Sequence, residues 1–232
     1  MPNSVDRPSL SRSIEDYLKV IYKLELESGS AQTSAIADAL SIAPPSVSGM
    51  VKRLADAELV THVPYRGVEL TEAGRRQALR MLRRHRILES YLIGHLGYDW
   101  DDVDREAERL EHAVSDDLVE RMAVKLGNPT HDPHGAPIPS AAGTIDPTRY
   151  LPMTEIEVGL AGRFRMIGDA DPERLRFIAS LGLRPGAEFR VLDRQPFNGP
   201  VTIELDGGRK EVIGFALASS LQCEQLEEPT LP

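Results

Sequence analysis

Residues 33–54 read TSAIADALSIAPPSVSGMVKRL and contain two short amphipathic helix patterns separated by a tight connection at residues 41–43. Thr33 is placed to cap the first pattern, residues 34–40. The two consecutive prolines suit the first turn of the second helix, where a missing N–H costs little. Apolar positions recur at helical spacing in both patterns: Ile36, Ala37 and Leu40 in the first, and Val47, Met50, Val51 and Leu54 in the second. The stretch therefore predicts a helix-turn-helix.

The segments on either side of this helix pair extend the pattern. Upstream, Ser13 can cap a helix that Gly29 ends and whose apolar residues recur at helical spacing. Downstream, residues 59–64 and 68–71 have the composition of two strands joined around residues 65–67. A helix, a helix pair and a hairpin in this order predict a winged helix-turn-helix.

The exposed face of the second helix of the pair is small and polar at its start and cationic further along. Such a face lets a helix enter the major groove of DNA while its cations contact phosphates. Two amphipathic helices joined by a turn also occur in all-α domains that bind no nucleic acid. The hairpin and a basic run at residues 75–86 favour DNA binding, although such a run is often only a solvated helix face. The predicted DNA contacts are Pro45, Ser46, Ser48, Gly49, Lys52 and Arg53 at the groove, with Thr33 and Arg66 near the backbone.

The charge of the chain is unevenly distributed. The 232 residues carry a net charge of −9, which on first sight argues against nucleic acid as a partner. Residues 1–86, however, hold 13 Lys and Arg against 10 Asp and Glu, whereas the remainder holds 14 against 26. One end of the chain can therefore face an anion while the other end holds cations.

The composition also limits the cellular compartment and the kinds of site. The single cysteine, Cys223, excludes a disulfide framework and a thiolate zinc cluster. No apolar run approaches the roughly 20 residues that a membrane span needs, and no secretion signal opens the chain. We therefore expect a soluble, cytoplasmic protein without a membrane partner.

The chain beyond the winged domain is predicted to form helices and then strands. Its helices carry too little apolar surface to close a core alone, so a symmetric homodimer is expected; their predicted ranges are 71–93, 100–114 and 115–126. Residues 127–152 hold six prolines and are predicted as a linker or extended tether. Short alternating runs between residues 153 and 226, with one helix at 172–181, indicate a small β-barrel.

An acidic stretch at residues 99–112 carries the most informative candidate site. On a helix, Glu108 lies three residues from Glu111 and four from His112, so the three side chains can converge on one ion. Carboxylates with imidazole and without thiolate suit hard or borderline divalent ions such as manganese or ferrous iron. This spacing is therefore a candidate metal site.

Other acids and histidines have alternative explanations. His85 and Glu89 repeat the four-residue spacing on the preceding helix and could complete a cage. Acids near a helix start are often only solvated and favoured by the helix dipole, and we adopt this explanation for those at residues 99–102. His131 and His134, in the predicted linker, are expected to be surface residues.

Taken together, the chain resembles the diphtheria toxin repressor family of iron- and manganese-dependent transcriptional regulators over nearly its full length. The matching stretches are IADAL at 36–40 leading into PSVS at 45–48, YRG at 65–67 with LTEAG at 70–74, RHRILE at 84–89, ERLEH at 108–112 and PHGAPIP at 133–139. The resemblance implies a mainly α fold with small β. Its parts would be a winged helix-turn-helix at 1–75, a helical metal-binding and dimerisation domain at 76–140, a tether at 141–152 and an SH3-like β-barrel at 153–232.

The resemblance also implies ligands. A primary ion would lie between the first helix and the dimerisation helices, at positions that match Asp16, Glu108, Glu111 and His112. His85 and Glu89 match ligands of an ancillary site in the iron-dependent branch, whereas His85 belongs to the main cluster in the manganese-dependent branch. Asp104 stands where the iron branch has a histidine, and Asp171 or Glu173 would be the ligand that the barrel supplies to that site.

Two positions favour manganese as the cofactor, with ferrous iron as the alternative. Iron-type members usually have methionine at the position of Asp16 and cysteine at that of Glu108, whereas this chain matches the manganese type at both. Lys19 stands where manganese-type members often have a further acid. That departure argues against a two-ion cluster of the manganese type.

The resemblance implies a metal-activated, homodimeric repressor of transcription that binds a palindromic DNA operator, controls metal homeostasis and uses no organic cofactor. Two alternatives remain open: a winged-helix regulator that answers a non-metal ligand, and a metal-dependent hydrolase. The sequence contains no His-Glu-x-x-His, no evident nucleophile with a neighbouring base and no Gly-rich phosphate loop. We therefore expect no enzymatic activity.

Overall fold

The computed structural model describes residues 10–63, 65–146, 148–168 and 171–226. The chain forms two compact units, and each is built from several segments. The first unit consists of Met1–His85, Glu111–Val114 and Pro139–Ile145, and the second of Arg86–Leu110, Ser115–Ile138 and Asp146–Pro232. Among the described residues, no helix combines the length and the apolar character that crossing a lipid bilayer requires.

The first unit contains the predicted winged helix-turn-helix. Its elements are α1 (Arg12–Ser28), α2 (Thr33–Leu40), α3 (Pro44–Asp56), β1 (Val60–Val63), β2 (Gly67–Leu70) and the start of α4 (Glu72–Leu96). The apolar stripes of these helices form one core, in which the fully buried side chains include Leu18, Ile21, Ile36, Val47 and Leu54. Burying a side chain of this size contributes about 1.5–3 kcal/mol. This core fixes which side of α3 remains exposed.

Two predicted helix caps differ from the structure by one or two residues. α1 begins after Ser11, so Ser13 lies inside the helix, and Thr33 is the first residue of α2 after Gln32. Gly29, with a φ of +79°, ends α1 as predicted. The apolar stripes set the phase of these helices, and the ends carry no side-chain cap that would fix the first residue.

Backbone hydrogen bonds tie the β1–β2 hairpin, which is the wing, to the turn after α1. The N–H of Ala31 donates to the carbonyl oxygen of Val68 at 3.0 Å, and the N–H of Val68 donates to that of Ala31 at 2.9 Å. Gly67 permits this approach, because its φ is +102° and a Cβ there would lie 2.1 Å from the Ala31 oxygen. A side chain at this position would therefore push the wing away from the helices.

The second unit continues α4 and adds α5 (Val103–Leu110) and α6 (Asp116–Lys125). The prediction of one helix through residues 100–114 is wrong, because α5 ends at Leu110 and the next four residues form a turn. Ser115 begins a new helix, since its Oγ accepts the N–H of Leu118 at 3.2 Å and caps α6. The two candidate ligands that follow Leu110 therefore lie in a turn, not on a helical face.

The proline-rich segment after α6 is folded against the second unit, and its prediction as an extended tether is wrong for residues 127–138. Asp132 Oδ1 accepts the N–H of His134 at 2.8 Å, and Trp100 Nε1 donates to the carbonyl oxygen of Pro133 at 2.8 Å. The N–H of Ile167 donates to the carbonyl oxygen of His134 at 3.0 Å. The side chain of His134 is only 12% exposed as a result, so its prediction as a surface residue is also wrong.

The C-terminal part of the second unit is a six-stranded antiparallel sheet with one helix of nine residues, as the barrel prediction required. Its strands are β3 (Leu151–Pro152), β4 (Ala161–Ile167), β5 (Glu188–Arg194), β6 (Val201–Leu205), β7 (Arg209–Ile213) and β8 (Leu221–Gln225), in the order β3-β8-β4-β5-β6-β7. The helix is α7 (Pro172–Ser180), and a short α8 (Phe215–Ala218) precedes β8. Burial raises the pKa of the Cys223 thiol to about 12, so this thiol is a core group and not a reactive one.

Candidate metal centre and nucleic-acid interface

One side of α3 is buried and the other is open to solvent. Val47 and Leu54 are fully buried in the core of the first unit. A Cβ added at Gly49 would meet no atom within 4 Å, so another molecule can approach this backbone closely. The exposed residues of this side include all the predicted groove contacts: Pro45, Ser46, Ser48, Gly49, Lys52 and Arg53. The structure therefore places them together on one accessible face.

Thr33 and Arg66, the predicted contacts to the DNA backbone, lie on two other elements. Thr33 is half-buried at the first position of α2, where a helix N-terminus offers free backbone N–H groups to an anion. Arg66 is exposed in the turn of the wing, next to the fully exposed Tyr65. Both positions are suited to phosphate contacts.

Three candidate ligands, Asp16, Glu111 and His112, meet in the first unit and form what we call the primary centre. The Nε2 atom of His112 lies 2.9 Å from Asp16 Oδ1 and 3.4 Å from Glu111 Oε1. The side chains of His112 and Glu111 are 9% and 0% exposed. One helix and one distant turn thus bring a ring nitrogen and two carboxylates to the same shielded point.

Glu15 fixes the orientation of the His112 ring. Its Oε2 atom lies 2.8 Å from Nδ1 of His112, and an ionised carboxylate can only accept, so Nδ1 donates and carries the proton. The Nε2 atom faces carboxylate oxygens, and it is a buried atom that makes no hydrogen bond. A buried ring nitrogen in such surroundings can offer its lone pair to a cation that the carboxylates also bind. This donor set therefore fits a divalent metal ion.

Glu111 is held as a carboxylate by two partners. Lys19 Nζ lies 2.6 Å from its Oε1, and Nδ1 of His85 donates to its Oε2 at 2.6 Å. Burial would raise the pKa of Glu111, but the hydrogen bond from His85 and the charge of Lys19 outweigh this effect and lower that pKa below its ordinary value. Glu111 is therefore ionised, as a metal ligand must be, and its contact with His85 brings that histidine to the primary centre.

The remaining predicted ligands belong to the second unit by their position in the chain. Glu108 is half-buried in the last turn of α5, in the second unit and one turn before the primary centre in sequence. Asp104 is exposed on α5, with a carboxylate oxygen within 4.8 Å of one from Glu89. Asp171 is exposed and caps α7 by accepting the N–H of Glu173 at 2.8 Å. Neither Asp171 nor Glu173 belongs to a group of possible metal ligands within the described part of the chain.

A further group, which we call the second cluster, lies inside the second unit and consists of Glu89, Asp132 and His134. Its ligand atoms lie within 4.8 Å of one another. The Nε2 atom of His134 donates to the carbonyl oxygen of Trp100 at 2.9 Å, which leaves Nδ1 facing Glu89 Oε1 at 3.4 Å. Burial and the charge of Glu89 raise the pKa of Asp132 to about 6, although Arg86 lies 3.4 Å away. Of these three residues, only Glu89 was predicted from the sequence as a metal ligand.

Known sequence families match nearly the whole chain. The profile described as "Iron dependent repressor, N-terminal DNA binding domain" matches residues 9–68. The profile "Iron dependent repressor, metal binding and dimerisation domain" matches residues 71–140, and that of the FeoA domain matches residues 151–225. The three matches follow the three predicted parts in order.

Individual relatives match over the same length. The chain is 31% identical over 224 residues to the iron-dependent repressor IdeR of Mycobacterium tuberculosis (strain ATCC 25618 / H37Rv). This alignment covers 91% of this chain and 96% of the relative. It is 28% identical over 222 residues to the diphtheria toxin repressor of Corynebacterium diphtheriae, with the same two coverages. A solved manganese-dependent transcriptional repressor in complex with manganese gives a TM-score of 0.86 at 39% identity, covering 92% of this chain and 100% of that one. ScaR with bound Zn2+ gives 0.78 at 30% identity, covering 92% and 99%.

Proposed function

Because this chain belongs to the diphtheria toxin repressor family of metal-dependent, DNA-binding transcriptional repressors, we propose that it represses transcription when manganese is bound. Members of the family are repressors and not enzymes. The chain acts on DNA as a homodimer, in keeping with the dimerisation domain matched at residues 71–140. We further propose that the operator is palindromic and that the repressed genes serve metal homeostasis.

The observation that carries the proposal is the buried Nε2 atom of His112, which makes no hydrogen bond and faces the carboxylates of Asp16 and Glu111. We infer that these three side chains hold the activating ion; Glu108, three residues before Glu111 in the sequence, stays a predicted further ligand. Oxygen and imidazole ligands without thiolate suit Mn2+, and Fe2+ is the alternative ion for the same ligands. The likeness to a manganese-dependent repressor solved with manganese supports the choice. A bound ion would neutralise the carboxylate charges and link the residues that carry them.

The positions of these ligands in the chain suggest how metal occupancy affects DNA binding. Asp16 lies on α1, which shares one core with α2 and α3. Glu111 and His112 lie in the turn that joins α5 to α6. The carboxylates of Asp16 and Glu111 repel each other, whereas shared ligation favours one placement of α1 against this turn. Such a difference in stability between two arrangements is what a ligand-operated switch requires.

The proposed reading elements are α3 and the wing of each protomer. A homodimer reads a palindrome when its recognition helices enter major grooves about 34–36 Å apart, one turn of B-DNA. Lys52, Arg53 and Arg66 would contact phosphates. Ser46 and Gly49 are too small for many strong base contacts, so thymine methyls and DNA shape should supply much of the specificity. The family matches support functional parts at residues 1–75, 76–140 and 153–232.

We further propose the second cluster as another metal position, since Glu89, Asp132 and His134 combine two buried carboxylates with a ring nitrogen. Burial and the charge of Glu89 raise the pKa of Asp132, and a divalent ion bound to both carboxylates would offset this cost of ionising Asp132. Asp104 on α5 stays a predicted further ligand, since one of its carboxylate oxygens lies within 4.8 Å of one from Glu89. The assignment of Asp171 as a metal ligand of an ancillary site stays a prediction.

The test begins with selection of duplex DNA from a random pool by the Mn2+-loaded protein, followed by fluorescence anisotropy as Mn2+ or anaerobic Fe2+ is titrated. We expect a palindromic sequence, metal-dependent binding, and activation by Mn2+ at a lower free concentration than by Fe2+. Asp16→Ala should lose the response. Glu27→Ala, which removes an exposed acid from the same helix, should keep it. Equal DNA affinity with metal and with chelator would contradict the proposal.

A further inference from the structure

Lys19 places an ammonium group inside the primary centre. It lies on α1 one helical turn after Glu15 and Asp16, on the same side of the helix. Its side chain is 8% exposed, and its Nζ atom is 2.6 Å from Oε1 of Glu111. A buried ammonium is costly unless an anion compensates it, so the pairing with Glu111 is required and not incidental.

The pairing involves the oxygen that also faces the histidine ligand. Glu111 Oε1 is 2.6 Å from the Lys19 ammonium and 3.4 Å from Nε2 of His112. The other oxygen, Oε2, already accepts a hydrogen bond from His85 at 2.6 Å. A divalent ion that binds His112 and Asp16 must therefore share Glu111 with a fixed positive charge.

We propose that Lys19 is the resident cation of the primary centre: its ammonium pairs with Oε1 of Glu111 while His85 holds Oε2, so this carboxylate cannot bridge to a second ion and the centre takes a single divalent ion. The inference rests on the proposed function, because it requires an ion at Asp16, Glu111 and His112. The presence of Lys19 has two consequences. Lys19 sets the number of ions at this centre, and it weakens the binding of the one ion that enters.

The size of the second effect follows from Coulomb's law. A single and a double positive charge roughly 5 Å apart repel each other enough, even with the dielectric constant of water, to weaken binding by more than about tenfold. Removing the ammonium also leaves Glu111 without one of its two partners in the metal-free protein. Both effects act in the same direction, so Lys19→Met should bind Mn2+ at least about tenfold more tightly.

The experiment compares the full-length wild type with Lys19→Met, Lys19→Glu and a matched control, Lys23→Met, which removes the same charge one turn further along α1. Equilibrium dialysis gives the number of Mn2+ ions per chain and their affinities, and electron paramagnetic resonance of frozen samples distinguishes isolated from exchange-coupled Mn2+. We expect no coupled pair in the wild type, tighter binding in Lys19→Met and unchanged binding in Lys23→Met. Lys19→Glu should bind one more ion per chain than the wild type and give the coupled spectrum.

The possible results separate this inference from the proposed function. An exchange-coupled pair in the wild type would overturn the inference, as would unchanged Mn2+ affinity in Lys19→Met, and both would leave the proposed function intact. If Asp16→Ala binds as many Mn2+ ions as the wild type with the same affinities, the proposed centre itself is wrong. If Lys19→Glu folds only with metal present, because it adds a carboxylate beside Glu111, the affinity of Lys19→Met decides the question.

Discussion

Removing either of two neighbouring proposed ligands should abolish the metal response, but only one of the two changes should strongly weaken the metal-free fold. Glu111→Ala takes the anion away from Lys19, whose ammonium is buried, and the acceptor away from His85. Breaking a buried ion pair in this way costs about 3–5 kcal/mol. His112→Ala removes one hydrogen bond to Glu15 and leaves the Lys19 pair in place, which costs about 1 kcal/mol.

The assay is thermal unfolding of the chelator-treated protein at neutral pH, followed by far-ultraviolet circular dichroism. With about 2–4 °C per kcal/mol for a chain of this size, Glu111→Ala should lower the midpoint by roughly 6–20 °C and His112→Ala by roughly 2–4 °C. The double variant Lys19→Met with Glu111→Ala should recover part of the loss, because the buried ammonium is removed together with the carboxylate that pairs with it. Equal shifts for the two single variants, or no recovery in the double variant, would show that the Lys19–Glu111 pair does not stabilise the metal-free fold.

Three further predictions concern the DNA contacts, the wing and the second cluster. Lys52→Ala should weaken binding to all DNA sequences and reduce the slope of log affinity against log salt by about 0.9; an unchanged slope would exclude Lys52 from the phosphate contacts. Gly67→Ala should destabilise the protein by about 1–3 kcal/mol in denaturant titrations, because its φ is +102° and the new Cβ would meet Ala31; wild-type stability would contradict the described wing. The pKa of Asp132 is raised to about 6 in the fold, so the folded state holds this proton more tightly than the unfolded state. Metal-free stability should therefore fall as pH rises from about 4 through 6, and Asp132→Asn should remove that dependence; an unchanged pH profile in Asp132→Asn would show that another group titrates.

The fold was predictable where the deciding pattern is local. The apolar spacing of α1, α2 and α3 and the turn at residues 65–67 specify a winged helix-turn-helix without any distant contact. The end of α5 was not predictable in this way. The spacing of Glu108, Glu111 and His112 fits a continuous helix, and the turn arises because Ser115 caps a new helix and Glu111 pairs with Lys19.

The second cluster was missed because its geometry depends on distant residues. Asp132 and His134 stand in a segment rich in proline and glycine, which in sequence alone indicates a linker. Its folding depends on Trp100, which is 34 residues from His134, and on Ile167 in β4. The local sequence shows only an aspartate and a histidine separated by one proline. This spacing does not indicate a metal site unless the distant contacts are known.

The most direct test of a divalent ion at the primary centre is anomalous diffraction at the manganese absorption edge from crystals soaked in Mn2+. We expect an anomalous peak between Nε2 of His112 and the carboxylates of Asp16 and Glu111. Crystals that take up manganese elsewhere but show no peak at this position would contradict it.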